Sequence, residues 1–269
     1  MKRSGIVTLL TDFGTKDPYV SMMKGVMLSI DPCLNLIDQT HEIPPGNIKH
    51  ASGFIIDTYS FFPEGTIHLA VIDPGVGTNR RPIAVKADGH LFVGPDNGLF
   101  WSVIDRFKGC KIVHLTREEF FLKDISMTFH GRDIFAPVCA HVSKGISIDR
   151  MGELITDPIE LNISRPLIQN GVLIGEIDHI DHFGNIITNI LQSDIRSFIG
   201  NYMFEVMVND HTIESFVQTY SKASPDEPSA LYSSSGRLEI TVKQGSCSDL
   251  LGIDPENQMD YEVRVLIKR

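Results

Sequence analysis

TIHLAVIDPGVGTNRR (residues 66–81) joins a strand-length apolar run to an acid, a proline, a glycine turn and two arginines. The run 66–72 is of strand length and mostly apolar, as strands are when a sheet is covered on both faces. Open α/β sheets place their ligand sites just past the carboxyl ends of such strands, where Asp73 falls. A surface loop needs Gly and Pro to turn. It does not need a carboxylate at the lip of an apolar strand, where partial desolvation makes the charge demand a partner. Arg80 and Arg81 both stand one loop away, and local spacing does not rank them. The same residues also fit an ordinary loop salt bridge, which contributes little to stability.

Outward from this stretch, strands and helices alternate. GIVTLL (5–10) and NLIDQT (35–40) read as strands, and 17–30 as a helix with Pro18 in its first turn. A second helix is expected over 48–62. PIAVKA and HLFVGP form a strand pair turning at Asp88-Gly89, a strong hairpin dipeptide. Helices follow at 97–105 and 133–145. The pattern predicts an α/β fold: a mostly parallel, Rossmann-like sheet over 1–160, covered by helices. After about residue 160 the texture changes to short alternating segments with turns between them. A smaller all-β barrel is expected over 168–269.

The 269 residues are 42% hydrophobic and 22% charged, which suits folded domains with cores. A net charge of −10 with no basic run makes nucleic acid and anionic membrane poor partners. Cys33, Cys110, Cys139 and Cys247 lie far apart with no C-x-x-C pair, so buried reduced thiols are expected rather than disulfides or a zinc site. The short apolar run near the N-terminus ends in Asp12 and reads as a core strand, not a signal peptide or membrane span. A soluble, cytoplasmic protein is expected.

Three further polar clusters sit at strand ends. Asp12 follows the first strand in TLLTDFGTKD (8–17), where it also fits an Asx-turn or helix cap. His130 precedes a helix whose first turn carries Arg132 and Asp133, where it also fits a capping histidine. DHFGNIITNI (181–190) and SSSGRLEI (233–240) offer an acid, an aromatic ring and an amide able to stack on and bond a flat ring; both also fit plain tight turns. Acid, cation, imidazole and an aromatic lip suit an enzyme whose ligand carries a planar heterocycle.

TLLTDFGTKDPYV, DQTHEIPPGNI, FFPEGTIHLAVIDPGVGT, FVGPDNGLF, TFHGRDIFAP, DHFGNIITNI and SSSGRLEI resemble, in order, the motifs of the S-adenosyl-L-methionine hydrolase (adenosine-forming) family. That family is also called hydroxide adenosyltransferase and is related to fluorinase and chlorinase. The resemblance implies hydrolysis of S-adenosyl-L-methionine to adenosine and methionine by water attacking the 5′ carbon. It implies no cofactor or metal, and a homotrimer with active sites between the N-terminal domain of one subunit and the C-terminal domain of its neighbour. Asp73, Arg80 and His130 match the family's catalytic set, whose spacing favours Arg80 over Arg81. Asp12, Asp17, Asp181, Phe183, Asn185, Ser234, Glu239 and Val242 match substrate-binding segments; Asp12 would hold the ribose hydroxyls. The halogenases carry Tyr at Asp73, lack His130, carry Ser at Gly131 and have Trp near Gly46; this chain follows the hydrolase pattern at each.

The chemistry suits those residues. A sulfonium leaves without a general acid, so the site must align a water, strip its hydration and favour hydroxide character. Arg80 and His130 would polarise the water while Asp73 orients them and accepts a proton. Two other classes fit parts of the pattern: a metal-dependent phosphoesterase with Asp12, Asp73 and His130 as ligands, and a nucleoside-binding module without turnover.

Overall fold

A computed structural model describes residues 3–254 and 261–268. Residues 1–2, in the expected first domain, and 255–260 and 269, in the expected barrel, lie outside the described residues. Contacts divide the chain into two compact units, Met1–Asn162 and Ile163–Arg269.

The first unit is built on β1 (Ile6–Thr11), α1 (Tyr19–Ile30), β2 (Asn35–Thr40), α2 (Ile48–Thr58) and β3 (Ile67–Val71). It continues with β4 (Pro82–Ala87), β5 (His90–Pro95), α3 (Trp101–Arg106), β6 (Lys111–Leu115), α4 (Ala136–Ser143) and β7 (Gly152–Ile155). The sheet order is β2-β1-β3-β5-β4-β6-β7. Alternation sorts its side chains into two cores. Val7, Leu9, Leu69 and Val71 face one side with Met23 and Met27 of α1 and Val138 of α4. Leu10, Ala70, Ile72 and Phe92 face the other with Ile55 of α2 and Val103 of α3. Each large apolar side chain buried this way contributes about 1.5–3 kcal/mol.

The sheet is mixed, which corrects the expectation of a mostly parallel one. β2, β1, β3 and β5 run parallel, but β4, β6 and β7 are added antiparallel. The cause is the predicted hairpin. Asp88 (φ 46) and Gly89 (φ 77) both take positive φ, the turn that reverses a chain tightly. β4 is thereby reversed beside β5, and the strands laid beyond it alternate. β6 and β7 were not legible: KIVHL is short, and β7 is an edge strand with Leu154 exposed.

The second unit carries β8 (Leu167–Gln169), β9 (Val172–Ile180), β10 (Ile186–Leu191), α5 (Gln192–Ile199), β11 (Phe204–Val208) and β12 (His211–Ile213). Then come β13 (Ser215–Phe216), β14 (Ser229–Tyr232), β15 (Arg237–Thr241), α6 (Cys247–Leu250) and β16 (Glu262–Ile267). The strands form one nine-stranded, nearly barrel-shaped sheet in the order β12-β11-β16-β9-β10-β15-β14-β13, with β8 on β9. Its core gathers Leu173, Ile177, Ile186, Val206, Leu238, Ile240 and Val265. The unit is not all-β, as α5 and α6 interrupt it. The start of α5 was marked in the sequence by Asp194, whose carboxylate accepts the Leu191 N–H at 2.9 Å, and its end by Gly200 at φ +59.

Candidate active site

In the first unit, β1 and β3 pair in parallel with Thr11 opposite Val71, so Asp12 and Asp73 emerge from adjacent strand ends. Asp12 Oδ2 accepts the Gly46 N–H at 2.8 Å, tying the loop after β1 to the turn before α2. Gly46 has φ +72, and a Cβ there would meet nothing within 4 Å. Asp17 stands exposed in the turn before α1.

Asp73 and Arg80 form a forked ion pair. Arg80 Nε donates to Oδ1 at 2.9 Å and Oδ2 at 3.0 Å, and Nη2 donates to Oδ2 at 2.5 Å. The Arg80 and Asp73 side chains are only 8% and 5% exposed, respectively. A buried pair of this kind is costly to break from one side, since the remaining charge is stranded. Arg81 points elsewhere: it bonds Asp96 at 2.8 Å and Asp157 at 2.9 Å. The competition left open by local spacing is therefore decided in favour of Arg80 as the partner of Asp73.

His130 joins the pair. Arg80 Nη2 donates to its Nδ1 at 2.7 Å. A guanidinium can only donate, so Nδ1 carries a lone pair and the proton of the neutral ring sits on Nε2. Burial first, then the Arg80 charge, holds the imidazole below its ordinary range, against Asp73 and Asp133. The Arg80 guanidinium lies 5.2 Å from the Phe135 ring centroid, and its Nη1 is buried without a hydrogen-bond partner among the described residues. An orphaned buried donor of this kind marks a place where a polar ligand atom would be held.

Two local devices bring His130 there. Gly77 takes φ +77, and a Cβ on it would lie 2.3 Å from the Met127 carbonyl oxygen. The glycine turn after Asp73 therefore presses directly on the backbone three residues before His130. Beyond His130, residues Gly131–Phe135 form a π-helical turn before α4, a form frequent at functional sites. Asp133 is fully buried there; it accepts the Ser126 N–H at 2.8 Å and pairs with Arg132 at 2.5 Å. Phe129 packs edge-on against Phe13 at 6.0 Å, which draws the His130 loop toward the Asp12 loop. The structure thus gathers Asp12, Asp73, Arg80 and His130 at one end of the sheet. As metal ligands the acids and His130 are badly placed, because the Arg80 cation stands between Asp73 and His130. Among the described residues no group of three or more His, Cys, Asp or Glu is disposed to hold a metal.

The second unit has its own cleft of about 530 Å³, lined by aromatic rings, amides and a hydroxyl. Asp181, Phe183, Asn185 and Val242 line it, as do Tyr220, Thr241, Gln244 and Gly245. Asp181 organises the rim: Oδ1 accepts the N–H of Phe183 at 2.9 Å and of Asn185 at 2.8 Å, and Oδ2 accepts Asn185 Nδ2 at 2.9 Å. Gly184, φ +82, lets this turn close on Ser246. Phe183 is left 73% exposed, a ring available for stacking. Asn185 Oδ1 accepts from Thr241 Oγ1 at 2.6 Å. Glu239 is buried behind the cleft, its carboxyl pushed up by desolvation against the Tyr220 hydrogen bond. Ser234 lies exposed in the β14–β15 turn, at the opposite end of β15 from Thr241, and the structure does not bring it to this cleft. Tyr220 and Gln244 escaped the sequence reading because they sit in short turns far along the chain from DHFG; only their being polar or aromatic beside glycine and serine hinted at a ligand loop.

Residues 7–152 match the N-terminal domain of SAM hydroxide adenosyltransferases, and 175–260 match the C-terminal domain. The chain belongs to the SAM hydroxide adenosyltransferase family. A relative from Salinispora tropica, named (R)-S-adenosyl-L-methionine hydrolase, is 32% identical over 260 residues, covering 94% of this chain and 96% of its own. A fluorinase from an Actinoplanes species is 29% identical over 218 residues, covering 71% and 73%. The crystal structure of an uncharacterized conserved protein from Thermotoga maritima superposes with a TM-score of 0.88 at 33% identity, covering 97% of this chain and 99% of that one. Within this adenosyltransferase, both sequence blocks that match the family contain one of the polar groupings described above.

Proposed function

We propose that this chain hydrolyses S-adenosyl-L-methionine, in the (R) configuration named for its relatives, to adenosine and L-methionine. The observation that carries the reading is the Asp73–Arg80–His130 chain with the imidazole held neutral and its Nε2–H left to donate. Arg80 Nη1 and His130 Nε2 would hold the oxygen of one water and favour its hydroxide character. That oxygen attacks the 5′ carbon in line with the C–S bond. The C–O bond forms, the C–S bond breaks, and its electron pair stays on sulfur as the neutral thioether of methionine. The water's proton passes to Asp73, whose Oδ1 accepts the Arg80 Nε bond alone among the described residues and keeps a lone pair for it. No step needs a metal. Asp12 would hold the ribose hydroxyls, and the second-unit cleft, with Asp181, Phe183, Asn185 and Val242, the base. Asp17, Ser234 and Glu239 are carried as substrate-side residues on the family pattern alone.

The reading extends to a homotrimer whose active sites draw on the first unit of one subunit and the second unit of its neighbour, and to a cytoplasmic location. No described helix is long and apolar enough to cross a membrane, and all four cysteines are free.

The test is turnover in water enriched in heavy oxygen, with and without chelator, read by mass-resolved chromatography. Adenosine with the heavy label at its 5′ oxygen, indifferent to chelator, is expected. Absence of adenosine, or an unlabelled 5′ oxygen, would overturn the reading.

A further inference from the structure

We propose that His41 is a positioning residue that clamps the Asp12 loop from both sides, so that the chain Thr11–His41–Asp38 fixes the carboxylate that meets the ligand's ribose. The proposal rests on Asp12 holding the ribose hydroxyls in the reaction above. Thr11 ends β1 and is fully buried; His41 is buried just past the end of β2. Thr11 Oγ1 and His41 Nδ1 lie 2.8 Å apart. On the far side of the ring, Nε2 stands 3.1 Å from Asp38 Oδ1, within ion-pair reach though not aligned as a hydrogen bond. Lys24 of α1 holds the other Asp38 oxygen at 2.6 Å.

These contacts run in one consistent direction. A carboxylate only accepts, so the ring proton belongs on Nε2 and Nδ1 keeps a lone pair. The Thr11 hydroxyl then donates to Nδ1, which leaves Thr11 Oγ1 to accept the Phe13 N–H at 3.3 Å. Past Asp12, the Gly14 N–H donates to the His41 carbonyl oxygen at 2.8 Å. The residues on either side of Asp12 are therefore tied to one histidine, through its ring and through its backbone. Asp12 Oδ2 accepts the Gly46 N–H, and Oδ1 makes no hydrogen bond among the described residues. Apolar side chains would fill this buried place without the desolvation that a hydroxyl and an imidazole incur, so the polar chain points to what it holds. A carboxylate already fixed in place binds hydroxyls without the cost of ordering its loop.

The test is calorimetric binding of adenosine and 2′,3′-dideoxyadenosine, which differ only in the ribose hydroxyls, to the full chain and its variants. The parent is expected to prefer adenosine by about tenfold or more, as hydrogen bonds to a charged group allow. Thr11→Val removes the hydroxyl and keeps the shape; His41→Phe keeps a ring without nitrogens; His41→Asn keeps an acceptor for Thr11. Thr11→Val and His41→Phe are each expected to cut the preference to about twofold, with the dideoxyadenosine Kd within about twofold of the parent. The double variant should be no worse than either alone, and His41→Asn should keep the parental preference. An intact preference in Thr11→Val, or equal losses for both nucleosides, overturns the positioning role. Thr11→Val decides the matter even if His41→Phe does not fold. A parent protein that binds both nucleosides alike overturns the ribose reading of Asp12, and this proposal with it; one that binds neither and leaves S-adenosyl-L-methionine intact overturns the functional reading as a whole.

Discussion

Arg80 shows how much one side chain settles. Its fork holds Asp73, its second terminal nitrogen sets the tautomer of His130, and its third position stays free. Lysine offers a point charge and cannot make these contacts together. Arg80→Lys is expected to lower kcat/KM by about a hundredfold while circular dichroism stays unchanged. The imidazole gives a pH test. Its folded pKa is depressed, so it is neutral at pH 7 and takes a proton only as pH falls below its ordinary value of about 6.5. Protonation would put a hydrogen on Nδ1 facing a guanidinium 2.7 Å away, so the rate profile should be flat near neutrality with an acid limb below pH ~6.5. An acid limb that survives in His130→Asn would show that another group titrates. The choice between Arg80 and Arg81 was invisible locally because it depends on Asp96 and Asp157, which lie 15 and 76 residues from Arg81.

Among elements, the glycine turn after β3 matters most. Gly77 combines a left-handed backbone with a contact no Cβ can occupy. Gly77→Ala is expected to destabilise the first unit by about 2 kcal/mol and to cost activity beyond that, because the turn and the His130 loop must separate; thermal melts and kcat measured below the new Tm check it. The strands before residue 100 were legible because their apolar runs are continuous and their punctuation strong: Asp88-Gly89 in particular. The sheet's mixed character was implied by that same hairpin yet missed. β6 and β7 lack the length and alternation that mark a strand; pairing with β4 orders β6, and pairing with β6 orders β7. In the second unit the DHFG turn was readable as a lip. Its companions Tyr220 and Gln244 were not, since strands distant in sequence bring them there.

For the whole molecule, the buried pair His68 and His90 sets an acid limit. Thr8 Oγ1 bonds His68 Nδ1 at 2.9 Å, and His68 Nε2 meets His90 Nδ1 at 3.1 Å between Tyr59 and Phe92. Burial drives His68 down to about 3 and lowers His90 as well. The unfolded chain binds protons below about pH 6.5 that the folded one refuses, so stability falls with pH from there toward 3. His68 alone should cost about 2 kcal/mol at pH 5 relative to pH 7.5, measured by denaturant unfolding, and His68→Gln should flatten the dependence. The proposed trimer has its own test: mixing and reassembling inactive Asp73→Asn and Phe183→Ala subunits should restore part of the activity if each site draws on two chains, and none if each chain acts alone.

The bond from Arg80 to His130 also decides which sulfur compounds the protein can leave intact. An imidazole kept neutral by a permanent cation is no source of protons. S-Adenosylhomocysteine, a thioether, would have to depart as a thiolate and needs one. It should therefore occupy the site and survive there, as should methylthioadenosine, detectable as competitive inhibition with no release of adenosine over long incubation. Discrimination between a charged sulfur donor and its spent thioether forms then rests on protonation rather than on fit, and a pocket that cannot tell these molecules apart by shape would still spare all but one.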